Sequence, residues 1–289
     1  MKVLVTGATG QLGYDVVLEG KAQGLDMIGV GSSDFDLTDE KQVARYIDAV
    51  QPDVIIHCAA YTKVDQAEVH PDVCKKVNVL GTKHIVQAAQ KRDTTFLYAS
   101  TDYVFDGKKD QPYTEKDEAN PINVYGQTKL AGEHMVQRLL DKWFIVRLSW
   151  LFGKYGKNFV TTMVELAKTR NTLEVVFDQV GSPTYTLDAA KAIIQLIQTS
   201  SFGIYHVTNA GYCSWFAFAE AIFTQLRKQQ VNVLPIPSEQ FPSLADRPAN
   251  SRLDHRKLVD VGISPLRHWK EALHHYLKQT NRTTHFEKD

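Results

Sequence analysis

The sequence has few cysteines, no excess charge of either sign and no long apolar run. Its 289 residues carry 33 basic and 33 acidic side chains, so the formal net charge is zero. That balance argues against a dedicated nucleic-acid-binding protein, because phosphate contacts require a basic face. No apolar run reaches membrane-spanning length, and the run KVLV near the start is too short for a signal peptide. We expect a cytoplasmic protein with neither a nucleic-acid nor a membrane partner.

The three cysteines and ten histidines form no metal-binding pattern. Cys58, Cys74 and Cys213 are odd in number and lack a C-x-x-C pair, so we expect reduced, buried thiols. His57 falls in an apolar run and is expected to be a hydrogen-bonded core residue. The G-x-S-x-G motif is also missing, which argues against a hydrolase.

Short apolar runs alternate with helical patterns over the first half of the chain. The predicted strands are KVLVT, DMIGV, DVIIHCA, TTFLYAS and WFIVRLS, and the predicted helices are Gln11–Gln23, 39–50, about Asp65–Lys91 and Asn123–Leu140. Buried strands alternating with helices predict an α/β fold, a Rossmann-type doubly wound parallel sheet covered on both faces.

The alternation of predicted strands and helices becomes less regular after about Trp150. Helical patterns continue at Phe159–Lys168, Leu187–Gln198 and Trp215–Gln229, separated by proline-containing loops. We therefore predict an NAD(P)-binding Rossmann domain over residues 1–150. Residues 151–289 are predicted to form a smaller, interleaved, mainly substrate-binding part, with some segments returning to the Rossmann core. The polar residues 280–289 are expected to fray.

Three glycines at a spacing of three, Gly7, Gly10 and Gly13, occupy the turn between the first strand and the first helix. In such a turn the glycines permit a sharp bend, close approach of a ligand to the backbone, and tight helix–strand packing. The helix N-terminus then attracts a diphosphate. An ordinary tight turn is the alternative, but the position of the triplet favours dinucleotide binding.

The end of the second strand does not decide which dinucleotide binds. Val30 and Gly31 stand where an acid would bind the ribose of NAD. Ser32 and Ser33 could bind a 2′-phosphate, although no arginine or lysine lies between residues 28 and 40. Asp36 is predicted to lie near the adenine or, equally, to begin a helix. The cofactor is therefore NADPH or NADH.

A candidate acid–base pair follows the fourth strand. Tyr125 and Lys129 are four residues apart and share one helix face. A nearby ammonium would favour the phenolate, and the pair suits proton transfer to a carbonyl oxygen that receives hydride. Thr101, just beyond the fourth strand, could donate to the same carbonyl. The alternative is a tyrosine and a lysine on a solvated helix face.

Seven motifs carry a resemblance to a known family. They are TGATGQLG, CAAYTKVDQAE, STDYVFDG, NVYGQTKLAGE, RLSWLFG, DQVGSPTY and RPANSRLD. In this order they resemble the extended short-chain dehydrogenase/reductase superfamily and, within it, the dTDP-4-dehydrorhamnose reductases. The resemblance implies reduction of dTDP-4-dehydro-L-rhamnose to dTDP-L-rhamnose by hydride from NADPH or NADH.

The resemblance also implies roles for individual residues. Tyr125 would be the proton donor, Lys129 would hold the nicotinamide ribose and lower the pKa of Tyr125, and Thr101 would tune the hydrogen bonding. The cofactor residues would be Gly7, Gly10, Gln11, Leu12, Gly13, Asp36, Leu37, Ala59, Ala60, Tyr61, Thr62, Lys63, Asn78, Tyr125 and Lys129. The substrate residues would be Thr101, Asp102, Val104, Tyr125, Trp150, Asn158 and Arg247.

Four of these residues have ordinary structural alternatives. Lys63 could be a surface lysine and Asn78 a solvated helical residue. Trp150 could pack against a sugar ring or in the core. Arg247 could grip a substrate phosphate or form a surface ion pair.

Some family members bind Mg²⁺ at a dimer interface through glutamates. Here Asp15 keeps one carboxylate, Leu187 stands where another acid is expected, and the tail offers only Glu287 and Asp289. We therefore expect no metal-binding residues, although Mg²⁺ and a homodimer stay possible.

The alternatives to a reductase are a dehydratase, an epimerase and a non-catalytic subunit. Tyr103 replaces the second acid that a dehydratase needs after the threonine, and Gln11 and Leu12 replace the bulky apolar residues typical of epimerases. A nucleotide-sugar epimerase remains the enzymatic alternative. A non-catalytic regulatory subunit that keeps the nucleotide site is the alternative from another class.

Overall fold

The computed structural model describes residues 1–227 and 230–283. Its strands are β1 (Lys2–Thr6), β2 (Asp26–Val30), β3 (Val54–His57), β4 (Thr95–Thr101), β5 (Trp143–Leu148), β6 (Leu151–Phe152), β7 (Thr172–Val176), β8 (Val180–Gly181), β9 (Thr184–Tyr185), β10 (Gly203–His206), β11 (Cys213–Ser214) and β12 (Asn232–Ile236). Its helices are α1 (Gln11–Ala22), α2 (Glu40–Val50), α3 (Val64–Val69), α4 (Pro71–Lys75), α5 (Thr82–Lys91), α6 (Val124–Leu139), α7 (Phe159–Leu166), α8 (Thr186–Leu196), α9 (Trp215–Gln225), α10 (Lys257–Asp260) and α11 (Trp269–Thr283).

Six parallel strands form the central sheet in the order β2-β1-β3-β4-β5-β10. The strands alternate their apolar side chains between two layers, because successive residues of a strand face opposite sides of a sheet. Val3 and Val5 pack in the layer that contains residues of α1 and α8, whereas Leu4 packs in the layer with residues of α2, α5 and α6. The predicted doubly wound parallel sheet is confirmed.

The five strands predicted from apolar runs are all present, but the sixth, β10, was missed. It pairs with β5 through residues 203–206, which lie far beyond the predicted Rossmann segment. Helix α8 packs Ala189 and Ile193 into the same core as Val3 and Val5 of β1. The division into residues 1–150 and 151–289 stays a prediction.

One stretch that was predicted to be helical does not form a single helix. The stretch from about Asp65 to Lys91 consists of α3, α4, a π-helical segment (Lys76–Gly81) and α5. His70 breaks the first helix with φ −126° and ψ 61°. Pro71 explains this break, since a residue before proline is driven out of the helical region. The π-helical segment carries Asn78 into the interior, where it is 1% exposed.

The remaining elements pack around a second apolar cluster. Three two-stranded sheets, β7–β12, β8–β11 and β6–β9, surround it together with α7, α9 and α11. Helix α11 ends at Thr283, and the predicted fraying of residues 280–289 stays a prediction. The tail residues 284–289, with Glu287 and Asp289, lie outside the described residues, as do residues 228–229 of the predicted helix Trp215–Gln229. No helix among the described residues is long and apolar enough to cross a membrane.

Candidate active site

The glycine-rich turn lies where the strand order reverses, between β1 and β3. Gly7 has φ +71°, and a Cβ there would lie 2.6 Å from the backbone nitrogen of Ala59. A Cβ on Gly13 would lie 2.3 Å from the carbonyl oxygen of Gly7. Folding itself therefore demands glycine at both positions, for the sharp turn and for close packing of α1 on it.

Gly10 is a glycine for a different reason. A Cβ there would meet one neighbour, the Gly7 carbonyl oxygen, at 3.3 Å, which the fold could accommodate. Gly10 also caps α1 without any side-chain hydrogen bond, so the helix N-terminus is free to receive an anion. This bare N-terminus fits a diphosphate, and the residues present thus fit a dinucleotide cofactor.

A cleft of about 640 Å³ runs from this turn to the carboxyl ends of the parallel strands. The predicted cofactor residues that line it are Gly7, Gly10, Gln11, Leu12, Gly13, Asp36, Leu37, Ala59, Ala60, Thr62, Tyr125 and Lys129. Tyr61, Lys63 and Asn78 do not line it. Lining residues that the sequence reasoning missed include Thr9, Phe35, Cys58, Ala99, Ser100 and Leu148. Cys58, Ala99, Ser100 and Leu148 lie at strand ends, and this position was the available signal, since ligands of open parallel sheets bind there.

Strand β2 ends at Val30 and is followed by Gly31, as the sequence predicted, but an acid from the next turn bonds the Gly31 backbone. Asp34 folds back so that its Oδ2 accepts a hydrogen bond of 2.7 Å from the backbone nitrogen of Gly31. Asp36 lines the cleft, and its Oδ1 accepts 2.8 Å hydrogen bonds from the backbone and hydroxyl of Thr38. These bonds lower the pKa of Asp36. The two acids lie in a tight local turn that apolar periodicity does not predict.

Asn78 acts as a clamp between the cofactor loop and the helix that bears Tyr125. Its Oδ1 accepts from Tyr61 N at 2.7 Å, and its Nδ2 donates to Tyr61 O at 3.2 Å and to Thr128 Oγ1 at 3.0 Å. Thr128 in turn donates to the carbonyl oxygen of Tyr125 at 2.8 Å. The solvated-helix alternative for Asn78 is therefore wrong.

Lys129 is buried beneath the cleft. It is 2% exposed, and its Nζ lies 4.0 Å from the centre of the Tyr98 ring. Burial lowers the pKa of Lys129 to about 7, although the nearby Glu133 carboxylate opposes the change. The alternative of a lysine on a solvated helix face is wrong.

Burial raises the pKa of the Tyr125 phenol, and a hydrogen bond with the Thr101 side chain opposes that rise. The direction is opposite to the lowering expected from Lys129. The physical reason is that desolvation penalises the phenolate more than the neighbouring groups stabilise it. In the isolated protein Tyr125 is thus a protonated phenol, ready to donate.

Two predicted substrate residues, Val104 and Trp150, pack against other side chains of the protein. Val104 is fully buried in a small cluster with Phe105, Tyr113 and Leu253. Trp150 stacks on Trp215 with ring centres 3.4 Å apart.

Asn158 caps α7 and joins the two halves of the chain. Its Nδ2 donates to Gln11 Oε1 at 3.0 Å and to Gly153 O at 2.9 Å. Gln11 begins α1 beside the glycine-rich turn, so this bond fixes the turn relative to α7. The predicted contact of Asn158 with the substrate stays a prediction.

Arg247 forms a two-pronged ion pair with Asp65. Nη1 lies 3.1 Å from Oδ1 and Nη2 lies 2.8 Å from Oδ2. The ion-pair alternative is the contact seen, and the predicted grip on a substrate phosphate stays a prediction. Asp65 was missed because it lies 182 positions away in the sequence.

Within the described ranges, no group of three or more His, Cys, Asp or Glu side chains is placed to hold a metal ion. The early carboxylate, Asp15, is buried and accepts a hydrogen bond from the hydroxyl of Thr186. Burial raises the pKa of Asp15.

Comparisons with known proteins identify relatives that match nearly the whole chain. The family model described as RmlD substrate binding domain matches residues 1–282. A crystal structure of dTDP-4-dehydrorhamnose reductase from Bacillus anthracis str. Ames in complex with NADP is 44% identical, with a TM-score of 0.93, covering 96% of this chain and all of that one.

Two curated relatives are similar over nearly their whole length. A dTDP-4-dehydrorhamnose reductase from Aggregatibacter actinomycetemcomitans is 42% identical, covering 94% of this chain and 97% of the relative. A dTDP-4-keto-6-deoxy-D-glucose reductase from Streptomyces niveus is 38% identical, covering 93% and 94%. The chain therefore belongs to the RmlD family, whose members include the dTDP-4-dehydrorhamnose reductases.

Proposed function

We propose that this protein reduces dTDP-4-dehydro-L-rhamnose to dTDP-L-rhamnose, the last step in the synthesis of that nucleotide sugar, with NADPH or NADH as reductant. The observation that carries the proposal is the placement of Tyr125 and Lys129 in one cleft with the glycine-rich turn. The family and the NADP-bound relative support the same reaction.

The residues divide the work between binding and proton transfer. Gly10, Gln11 and Leu12 would hold the cofactor diphosphate at the start of α1, and Lys129 would hold the nicotinamide ribose. When bound, the reduced nicotinamide supplies a hydride for C4 of the keto sugar. Tyr125, kept protonated by burial, gives its proton to the oxygen on which negative charge develops.

The test is to mix the purified protein with NADPH or NADH and the keto sugar made by the upstream enzymes. Loss of reduced-nicotinamide absorbance and an NMR spectrum of dTDP-L-rhamnose are expected. Faster reduction of the unepimerised 4-keto-6-deoxy-D-glucose nucleotide, offered in a parallel assay, would instead favour the reaction named for the Streptomyces niveus relative. No oxidation of the cofactor by any 4-keto sugar nucleotide would overturn the proposal.

Tyr125→Phe should lower kcat by on the order of 10²-fold or more, because it removes the acid but keeps the ring. Fluorescence titration with NADPH should show affinity close to that of the unaltered protein. Tyr113→Phe is the matched control, since Tyr113 hydrogen-bonds Asp106 outside the cleft. Unchanged turnover in Tyr125→Phe would remove Tyr125 from the mechanism.

We also propose a cellular location and an oligomeric state for the protein. We place the reaction in the cytoplasm, which the three free cysteines support. We also propose a homodimer; sedimentation of the purified protein at the mass of one chain would reject it.

A further inference from the structure

The buried carboxyl of Asp102 faces hydroxyl groups. Thr101 Oγ1 lies 3.0 Å from its Oδ1, Ser149 Oγ lies 2.9 Å from its Oδ2, and the side chain of Ser251 bonds it as well. Asp102 is 3% exposed. An acid held by hydroxyl groups in the interior can exist in either protonation state, because no buried counter-ion is left unpaired when it gains a proton.

The Thr101 hydroxyl connects this carboxyl to Tyr125. Thr101 Oγ1 donates to Asp102 Oδ1 at 3.0 Å, and side-chain hydrogen bonding with Thr101 opposes the rise that burial causes in the pKa of Tyr125. A hydroxyl can donate and accept at once, so Tyr125, Thr101 and Asp102 form an unbroken chain along which protons can pass. Thr101, Ser149 and Ser251 are themselves almost fully buried.

We propose that Asp102 is the proton reservoir that reprotonates Tyr125 through the Thr101 hydroxyl. This inference rests on the proposed reduction. It gives Asp102 a role in each turnover that is separate from contact with the sugar.

Protons and electrons balance along the chain. As hydride bonds to C4, the carbonyl π pair moves to the oxygen, which takes the Tyr125 proton. The phenolate then takes the Thr101 hydroxyl proton, and Thr101 takes the carboxyl proton of Asp102. An alcohol, a neutral phenol, a neutral hydroxyl and a carboxylate result. A solvent proton restores Asp102 when the site opens for product release.

The surroundings of Asp102 suit a group that changes its charge near neutral pH. Burial raises the pKa of Asp102 to about 6, against the opposing hydrogen bonds from Ser251, Ser149 and Thr101. The phenols of Tyr103 and Tyr125 face it, and burial raises the pKa of both, so they stay neutral. Beyond Tyr103, the charges of Arg247 and Asp65 offset each other in an ion pair.

Stopped-flow kinetics of Asp102→Asn tests the inference. Asp102 is also a predicted substrate residue, so the readout is the ratio of rates within the variant. Because Tyr125 begins protonated, later turnovers should be slower than the variant's own first turnover by about tenfold or more. The result is a burst of one cofactor oxidised per active site. Asp106→Asn, the same chemical change on a carboxyl outside the chain, should show no burst. Equal slowing of the first and later turnovers, or no slowing, would overturn the inference.

Infrared spectroscopy of the ligand-free protein gives a readout independent of turnover. The C=O stretch of a protonated carboxyl should appear as the pH falls through about 6, and Asp102→Asn should lack it. Ser149→Ala removes a donor to the carboxylate, so the same band should appear at higher pH. If Asp102→Asn does not fold, the Ser149→Ala shift decides. A spectrum without a titrating Asp102 band would overturn the inference even in an active reductase.

Discussion

Trp150 has a backbone conformation that costs free energy. Its φ is +46°, in the left-handed region that bulky side chains rarely adopt. The indole stacks on Trp215 at an interplanar angle of 8°, and a Cβ on Gly181 would lie 2.4 Å from it. Packing on these two residues holds the strained conformation, so the core alternative is part of the explanation for this tryptophan.

Trp150→Ala should lower the free energy of unfolding by about 3 kcal/mol, since it deletes a packed aromatic side chain. Trp150→Gly should be no less stable than the alanine variant, because glycine relieves the positive φ. If Trp150 also contacts the sugar, both variants should raise the substrate KM. Thermal unfolding and steady-state kinetics check these outcomes, and an unchanged KM would leave only the packing role.

Lys129 makes the free energy of unfolding depend on pH in the alkaline range. Its pKa falls to about 7 in the folded protein from 10.5 in a model compound. Between these values the unfolded chain binds more protons than the folded one, so stability contributed by this residue rises with pH across that interval. The free energy of unfolding of the unaltered protein should therefore gain on that of Lys129→Met as the pH is raised from 7 toward 10. Urea unfolding at several pH values measures the difference; parallel curves would contradict it.

At the scale of elements, the glycines of the first turn differ in whether folding or ligand binding requires them. A Cβ on Gly13 would lie 2.3 Å from the Gly7 carbonyl oxygen, whereas a Cβ on Gly10 would lie 3.3 Å from it, a tight contact without an overlap. The same kind of substitution at the two positions should therefore have different effects.

Gly10→Val should abolish nucleotide binding with little loss of thermal stability, because the new side chain occupies the space of the ligand. Gly13→Val should lose both binding and stability, since its Cβ cannot be accommodated. Calorimetric titration with NADPH and thermal unfolding distinguish them. Normal affinity in Gly10→Val would refute the role of the loop.

The first five strands were predictable because a strand buried on both faces is a continuous apolar run. Strand β10 was not, since GIYH is short and mixes apolar with polar residues. The break of the third predicted helix was signalled by Pro71, but the π-helical segment that follows has no comparable signal.

The residues of the site likewise differ in whether the sequence could predict them. The turn glycines, Tyr125 and Lys129 carry local spacing that predicts their chemistry. The hydroxyls around Asp102 come from Thr101, Ser149 and Ser251, which only the tertiary fold brings together. Sequence spacing could not reveal this network or the direction of the Tyr125 pKa shift, because both depend on burial.

At the scale of the whole molecule, residues 243–247 form a clasp segment that joins the late part of the chain to α3 and α6. Asp65 at the start of α3 accepts hydrogen bonds from Leu244 N at 3.2 Å and Ala245 N at 3.1 Å, besides pairing with Arg247. Asn123, the cap of α6, donates to Asp246 O at 2.8 Å. The segment is thus tied to the helix that carries Tyr125.

Asp65→Asn should release the clasp segment. Chymotrypsin should then cleave faster near Leu244, which is 66% exposed, and the substrate KM should rise more than kcat falls. Asp48→Asn is the control, because Asp48 pairs with Arg92 on an exposed surface away from the segment. Unchanged cleavage and KM would show that the clasp segment does not depend on this pair.

The layer that covers one face of the central sheet has a consequence for synthesis on the ribosome. Val3 and Val5 share their core with Ile193, Tyr205 and Leu266. A nascent chain that has reached residue 150 has made five of the six strands, but on this face it has α1 and still lacks α8 and the segment around Leu266. Chaperones that hold apolar surfaces should therefore stay on the chain until the segment around Leu266 emerges, and early release should favour aggregation.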